Sequence, residues 1–359
     1  MLTGNKGEWS EIYALLKVVA DKKLYRGDGN LSRLGNAVLP IVKVLRDESD
    51  GTYEYGINQN IVIINGAGCE FKIQISEFKR HAATLLSEIK LATSASFAIP
   101  VIEDFIASFN CTSLKASSDV KSDIRIVLHD TTTCTSPELG FSIKSQLGSA
   151  STLLNAGRTT NFIYKLVGGK LLANQVDEIN SIETRTKIKD RLLEIKKFNG
   201  SLSFIKTENS IFSNNLTLID SALPKILAEV VYLFYTSTNN TLKSLADHIA
   251  LKNPLGFDVS GHHPFYSYKI KRFLTDIALG MMPSKVWTGE LEATGGYLVV
   301  KEDGEILCYH IYNRNDFEDY LFNNTKLDTA SSSRHGFGLV YEDDGDQFLK
   351  LNLQIRFIK

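Results

Sequence analysis

Cysteine is scarce and scattered. Cys69, Cys111, Cys134 and Cys308 form no CxxC pair and have no histidine spacing that would make a zinc site, so they read as reduced thiols of an intracellular protein. Long apolar runs are missing too: the longest, Ile226 to Tyr235, is short and contains Glu229, and no apolar signal segment follows Met1. Neither secretion nor membrane spanning is expected. An excess of basic charge, common in nucleic-acid-binding proteins, is also lacking, since 40 Lys and Arg stand against 41 Asp and Glu for a formal charge of -1. That balance argues mildly against nucleic acid but is compatible with a basic cleft in an acidic exterior. There is no internal repeat, low-complexity tract, Walker-type phosphate loop or Ser nucleophile elbow. What remains is 359 residues, 43% hydrophobic and 23% charged, enough for a large core in one elaborated domain or two.

The most informative stretch is Ser122 to Asn161. Asp123 opens an apolar run (Ile124, Ile126, Val127, Leu128), a loop from Asp130 to Gly140 contains Pro137, and a second run returns from Phe141 to Leu147. This predicts a β-hairpin. Pairing Asp123 with Lys144 centres the turn near position 133.5, inside the loop. Alternation then places Ser142, Lys144 and Gln146 on one face and Phe141, Ile143 and Leu147, with Ser145, on the other. An Asp and a Lys are thus neighbours on a sheet surface, beside a Gln. A cross-strand salt bridge, worth under about 1 kcal/mol when exposed, is the structural alternative.

The functional alternative is phosphodiester cleavage. That reaction needs a divalent metal held by carboxylate oxygens, which polarises the phosphate and acidifies an attacking water, and a nearby Lys to orient the water and offset negative charge. An Asp on one strand and a Lys two residues after a polar or acidic ligand on the next resembles the PD-(D/E)xK nucleases. The pattern is degenerate here, with Ser122 where Pro is usual and Ser142 where Asp or Glu is usual. A serine cannot supply the second charged ligand, so another carboxylate must come from elsewhere.

The N-terminus offers two candidates. Residues 7 to 20 predict a helix from the spacing of Ile12, Leu15, Leu16 and Val19, and Glu8 and Glu11 lie on or beside that apolar stripe. Acids favoured by the helix dipole are the ordinary explanation. With position 142 lacking an acid, Glu11, deeper in the stripe, is expected to complete the site with Asp123, and Glu8 is its substitute.

Three segments together carry a more specific resemblance: GNKGEWSEIYALLK (Gly4 to Lys17), SDI followed by GFSIKSQLGSASTLLNAGRTTNF (Ser122 to Phe162), and SSSRHGFG with LNLQIRF (Ser331 to Phe357). In this order and spacing the chain resembles the HpaII family of type II restriction endonucleases. The resemblance implies Mg2+-dependent cleavage of double-stranded DNA within CCGG, a PD-(D/E)xK-like fold, a bacterial cytoplasmic setting, and a cognate methyltransferase that acts on the same site but need not bind. On the residues, it implies Asp123 and Glu11 as metal ligands and Lys144 as the group that positions or activates water. Gln146 is expected to orient the water or Lys144, and Ser142 to bind metal through a water. A palindromic target is usually met by a two-fold homodimer, though monomers acting in turn would also serve.

Two polar segments are expected to grip DNA. The first offers Ser149, Ser151, Thr152, Asn155, Arg158, Thr160 and Asn161, hydroxyls and amides suited to phosphates and base edges. Arg158 is the first choice for reading guanine, because a guanidinium can bond O6 and N7 together. The second, Thr325 to Gly336, repeats that composition, and Arg334 and His335 are its candidate DNA contacts. Caps and turns explain such clusters structurally. Residues 182 to 198 predict a helix whose Arg185, Lys187, Lys189, Arg191, Lys196 and Lys197 form a charged exterior around Ile188, Leu192 and Ile195.

The expected fold is α/β or α+β, a mixed sheet flanked by helices. Residues 1 to 175 would form the nuclease core and 176 to 359 the recognition or dimer-contact part, unless the whole is one continuous domain. A different class of function also fits, a sequence-specific DNA-binding protein with an inactive site. It would bind DNA in Mg2+ without forming product.

Overall fold

The computed structural model describes residues 1–115, 122–129 and 134–359, so residues 130–133 of the expected hairpin loop lie outside the described residues. The N-terminal half runs α1 (Lys6–Asp21), β1 (Lys23–Gly27), β2 (Arg33–Glu48), β3 (Gly51–Asn58), β4 (Ile61–Gly66), β5 (Cys69–Gln74), α2 (Ile75–Leu91), α3 (Pro100–Ala107), β6 (Ile124–Leu128) and β7 (Glu138–Ser145). Then follow β8 (Thr152–Leu154), β9 (Asn161–Val167), α4 (Ala173–Asn180), α5 (Lys187–Lys197), β10 (Ser201–Thr207), α6 (Ser210–Ile219), α7 (Leu223–Thr236), α8 (Leu242–Lys252) and α9 (Phe265–Leu279). The chain ends with β11 (Gly296–Val300), β12 (Ile306–His310), α10 (Arg314–Asn323), β13 (Thr325–Leu327), α11 (Ser332–His335), β14 (Val340–Asp343), β15 (Asp346–Asn352) and β16 (Ile355–Phe357). This is a mixed α+β architecture, with sheets flanked by helices.

A nine-stranded sheet has the order β1-β12-β11-β7-β6-β2-β3-β4-β5, and β1 also pairs with β2. The first half of the long β2 meets β1 and its second half meets β6, so six strands curl back on themselves. Smaller sheets order β10-β9-β15-β14 and β13-β16-β8. Strands from late in the chain therefore complete the sheet of the early half, and β8 and β9 belong to sheets built with late strands. Two hydrophobic cores result, and β11 partitions them: Leu298 and Val300 join the core around α1, while Tyr297 and Val299 join the core of the later helices.

α1 forms where the apolar spacing predicts it. Ile12, Leu15, Leu16, Val18 and Val19 are at most 1% exposed. At roughly 1.5–3 kcal/mol per fully buried aliphatic side chain, this packing outweighs any single end effect. Its start is nevertheless well defined. The Asn5 side chain accepts from the Gly7 and Glu8 amides at 2.8 and 3.1 Å, and Glu8 Oε2 accepts from the Asn5 amide at 2.7 Å, a reciprocal capping box.

The hairpin forms as alternation requires, but in a different register. Ile124 faces Phe141 and Val127 faces Glu138, which puts Asp123 opposite Ser142 rather than Lys144. A two-residue slip preserves every face, so Ser142 and Lys144 still share a side with Asp123. The expected charged exterior on α5 also needs correction at Arg191. Its side chain is 1% exposed and donates to the carbonyls of Gly338, Asn180 and Ile182, closing the loop before α5 onto the segment between α11 and β14. No helix among the described residues is long and apolar enough to cross a membrane.

Candidate active site

The site begins with a strand-end carboxylate. Asp123 stands one residue before β6, its amide bonded to the Phe141 carbonyl at 2.8 Å. Asp123 Oδ2 accepts from the Ile143 amide at 2.6 Å and from Ser142 Oγ at 3.1 Å. Among the described residues both bonds fall on Oδ2, which leaves Oδ1 to a further partner. The hairpin thus fixes the carboxylate without consuming it.

Lys144 completes the chain of contacts. Its Nζ donates to Ser142 Oγ at 3.0 Å, so one hydroxyl links the carboxylate to the ammonium. The half-buried Lys144 also lies over the Tyr297 ring, 4.9 Å from its centroid. Burial pushes the pKa of Lys144 below the usual lysine range, and the charges of Asp123 and Glu11 oppose that shift. The same field reaches Lys115, raised chiefly by its bond to Glu8 and further by the charges of Glu11 and Asp123. Asp123, Glu11, Lys144 and Lys115 therefore form one electrostatic cluster.

The two N-terminal acids have different positions in it. Glu8 is committed to the capping box and pairs with Lys115 at 2.7 Å, which holds its carboxyl below the usual range. It is an unsuitable substitute ligand for that reason. Glu11, one turn further along α1, is half-buried and acts electrostatically on Lys144. Next to it, Ser10 Oγ meets Ser145 Oγ at 2.8 Å, which ties this turn of α1 to the end of β7.

The donor set suits a small hard cation better than a soft one. Two carboxylates with no thiolate or imidazole among them match Mg2+, which keeps several of its waters and uses one or two protein carboxylates. Among the described residues there is no group of three or more His, Cys, Asp or Glu that could hold a metal ion.

The remaining candidates divide into three groups. Gln146 and Ser151 line one cavity with Lys144, Asn324 and the C-terminal Lys359. Ser149 is exposed nearby, and Thr152 pairs with Arg356 across β8 and β16. Asn155 and Arg158 are exposed, and the Arg158 Nε lies 3.7 Å from where a Cβ would stand at Gly336, which caps α11 at φ +64°. Arg334 is exposed and His335 half-buried on that helix, so the central and C-terminal polar segments come together.

Thr160 and Asn161 are the exceptions. Both are fully buried, and their side chains are consumed internally. Thr160 Oγ1 bonds Gly157 and accepts from Asn352, while Asn161 donates to Glu208 at 2.7 Å and to the His335 carbonyl at 3.0 Å and accepts from Asn352 at 2.7 Å. They hold the two polar segments together and have no group left for a base edge.

Sequence reasoning passed over Lys115 and Tyr297. Lys115 sits in a stretch with no periodicity, held by a buried network in which Arg46 bonds Glu48 at 2.8 Å and the Ser113 carbonyl at 2.7 Å. Tyr297 reads as an ordinary core residue until β11 is paired with β7.

The family model described as HpaII restriction endonuclease matches residues 5–357. The type II restriction enzyme HpaII of Haemophilus parainfluenzae is 51% identical over 359 residues, covering 99% of each chain. No solved structure matches. A match of this length and identity spans nearly the whole chain, and the chain belongs to the HpaII restriction endonuclease family, as a type II site-specific deoxyribonuclease.

Proposed function

We propose that the chain hydrolyses double-stranded DNA at CCGG with Mg2+ as cofactor, and that Asp123, Glu11 and Lys144 are its catalytic groups on a PD-(D/E)xK-like core. The single observation that carries this reading is the Asp123–Ser142–Lys144 relay across adjacent strands. Supporting the core assignment, the strand parallel to β7 is β11, reached after a long connection that holds β8 to β10 and α4 to α9, and α1 lies against β7. The cation specificity rests on the two-carboxylate donor set, and the target rests on the resemblance to HpaII.

Asp123 Oδ1 and Glu11 would hold Mg2+, which when bound polarises the scissile phosphate and lowers the pKa of an attacking water. The protein's own groups do the rest. Ser142 keeps Asp123 and Lys144 in one plane of contact, so neither needs to reorganise when DNA arrives. Lys144 keeps protons at Nζ beyond the one given to Ser142; these orient the water and offset charge growing on the phosphate oxygens. Its partial burial strengthens that interaction, because the surroundings are less polarisable than water. The water oxygen bonds to phosphorus as the bond to the leaving oxygen breaks, and a hydroxyl end and a phosphate end result.

Recognition falls to the joined polar segments. Arg158, Arg334 and His335 present donors from one surface, and Arg158 has the geometry for guanine O6 and N7. Digesting a plasmid of known sequence, with Mg2+ and with EDTA, and sequencing the fragment ends tests the proposal. Discrete metal-dependent cuts at CCGG are expected. Cuts at another sequence would overturn the target, and intact but gel-retarded DNA would overturn cleavage.

A further inference from the structure

β11 carries Leu298, Val299 and Val300, the aliphatic residues that suit a buried parallel strand, and one aromatic residue, Tyr297. The parallel register sets Tyr297 beside Ser142, the hydroxyl between Asp123 and Lys144. Its ring is 2% exposed and fixed on several sides. The phenol donates to the Ala278 carbonyl in α9 at 3.3 Å, Phe317 approaches edge-on with centroids 5.3 Å apart, and Phe357 lies at 6.3 Å. The Lys144 ammonium stands 4.9 Å from the centroid of that ring. A cation within about 6 Å of an aromatic centroid is attracted by the ring's negative face.

Lysine places its charge at the end of four rotatable bonds, and holding it in one rotamer costs up to about 2 kcal/mol. The bond to Ser142 alone leaves the ammonium a wide cone of positions. A second hydrogen-bond acceptor would narrow the cone but take a proton that the reaction needs. An aromatic face narrows it without accepting a directed bond, so the remaining protons stay available. Leu or Val at this position would be smaller and would offer no attraction for the charge.

We propose that Tyr297 is a positioning residue for DNA cleavage, whose ring face holds the Lys144 ammonium against Ser142 and toward the scissile phosphate. The proposal rests on Lys144 being catalytic. It names a group that touches neither DNA nor metal and acts only through Lys144.

The test replaces residue 297 in the full chain by Phe, 3,5-difluorophenylalanine and pentafluorophenylalanine, which keep the shape and progressively remove the ring's negative face. Tyr297→Phe should cleave CCGG duplex in a single turnover within about threefold of the parent, because the ring survives. Pentafluoro substitution should slow it by about 5- to 30-fold while the Kd for the duplex, measured in Ca2+, stays constant. A separate readout uses metal-free protein with 13Cε-lysine, in which the Lys144 resonance is identified by its loss in Lys144→Met. That resonance should lie upfield and return to the ordinary lysine position in Tyr297→Leu. Equal rates across the fluorinated series, or a Lys144 resonance unmoved in Tyr297→Leu, would overturn the proposal. Should Tyr297→Leu fail to fold, the fluorinated series decides alone. If Lys144→Met itself cleaves normally, the catalytic reading falls and this proposal with it. An inactive Lys144→Met with a flat fluorination series refutes only the role of Tyr297.

Discussion

Replacing Glu8 and Glu11 separately by Gln should give opposite phenotypes, although the two acids lie three residues apart on one helix. At Glu8 the neutral amide still accepts the Asn5 N–H, now at 2.7 Å, so most of the capping box survives. The charge lost is that of an ion pair with Lys115, whose side chain is 60% exposed. Such pairs contribute under about 1 kcal/mol, so Glu8→Gln should lower Tm by no more than about 1–2 °C and leave cleavage within about threefold. At Glu11 the change removes one of two carboxylates whose charges act on Lys144 and, on the proposed mechanism, half of the anionic donor set for Mg2+. Losing one preorganised electrostatic group typically costs about 10²- to 10³-fold in rate, and half-saturating Mg2+ should rise together with that loss. The assay is single-turnover cleavage of a CCGG duplex across a Mg2+ titration, with thermal melts of both variants. An inactive Glu8→Gln beside an active Glu11→Gln would refute the assignment of the two acids.

Further expectations follow from other parts of the molecule. Burial, reinforced by the charge of Glu318, raises the Asp276 pKa from 3.8 to about 6. A raised carboxyl favours the fold while protonated: that contribution is complete below pH 3.8 and lost as pH rises through about 6. Asp276→Asn should therefore match the parent at pH 3.5 and exceed it above pH 7 by up to about 3 kcal/mol in urea melts; equal stability at both pH values would refute this. Glu48→Gln weakens the pairing of Arg46, itself 2% exposed, and should cost about 3 kcal/mol, measured the same way. Asn161→Ala should destabilise the protein by about 1–3 kcal/mol without changing the sequence cut, whereas Arg158→Ala should slow cleavage of cognate duplex by about 10- to 100-fold at unchanged Tm. Fragment-end mapping and melts of both variants separate the two roles.

How far the sequence foretells this structure differs residue by residue. Helical spacing is local, so α1 and its buried stripe were legible from Ile12 to Val19. Strand alternation is local too, which is why the faces of Ser142 and Lys144 came out correctly. Register is not local. It depends on where the turn closes, and Asp123 moved from opposite Lys144 to opposite Ser142 without any change in pattern. The parallel pairing of β7 with β11 spans more than half the distance between Phe141 and the C-terminus, and nothing near Tyr297 announces it.

Polar side chains pose a different difficulty. The donors and acceptors with which Thr160 and Asn161 would read a base are those with which they bind Gly157, Glu208 and Asn352, so composition cannot separate the two uses. Burial separates them at once. Glu8 and Glu11 were likewise equivalent as letters on one stripe, and only the reciprocal bond with Asn5 distinguishes the cap from the acid that acts on Lys144.

The most direct test of the catalytic account is the separation of binding from cleavage in Asp123→Ala and Lys144→Ala. Each variant would be mixed with CCGG duplex in excess enzyme, its occupancy read by gel retardation in Ca2+ and its single-turnover rate in Mg2+. The account predicts that both bind the duplex and that neither cleaves it at more than about a hundredth of the parent rate. Normal cleavage by both variants would contradict it.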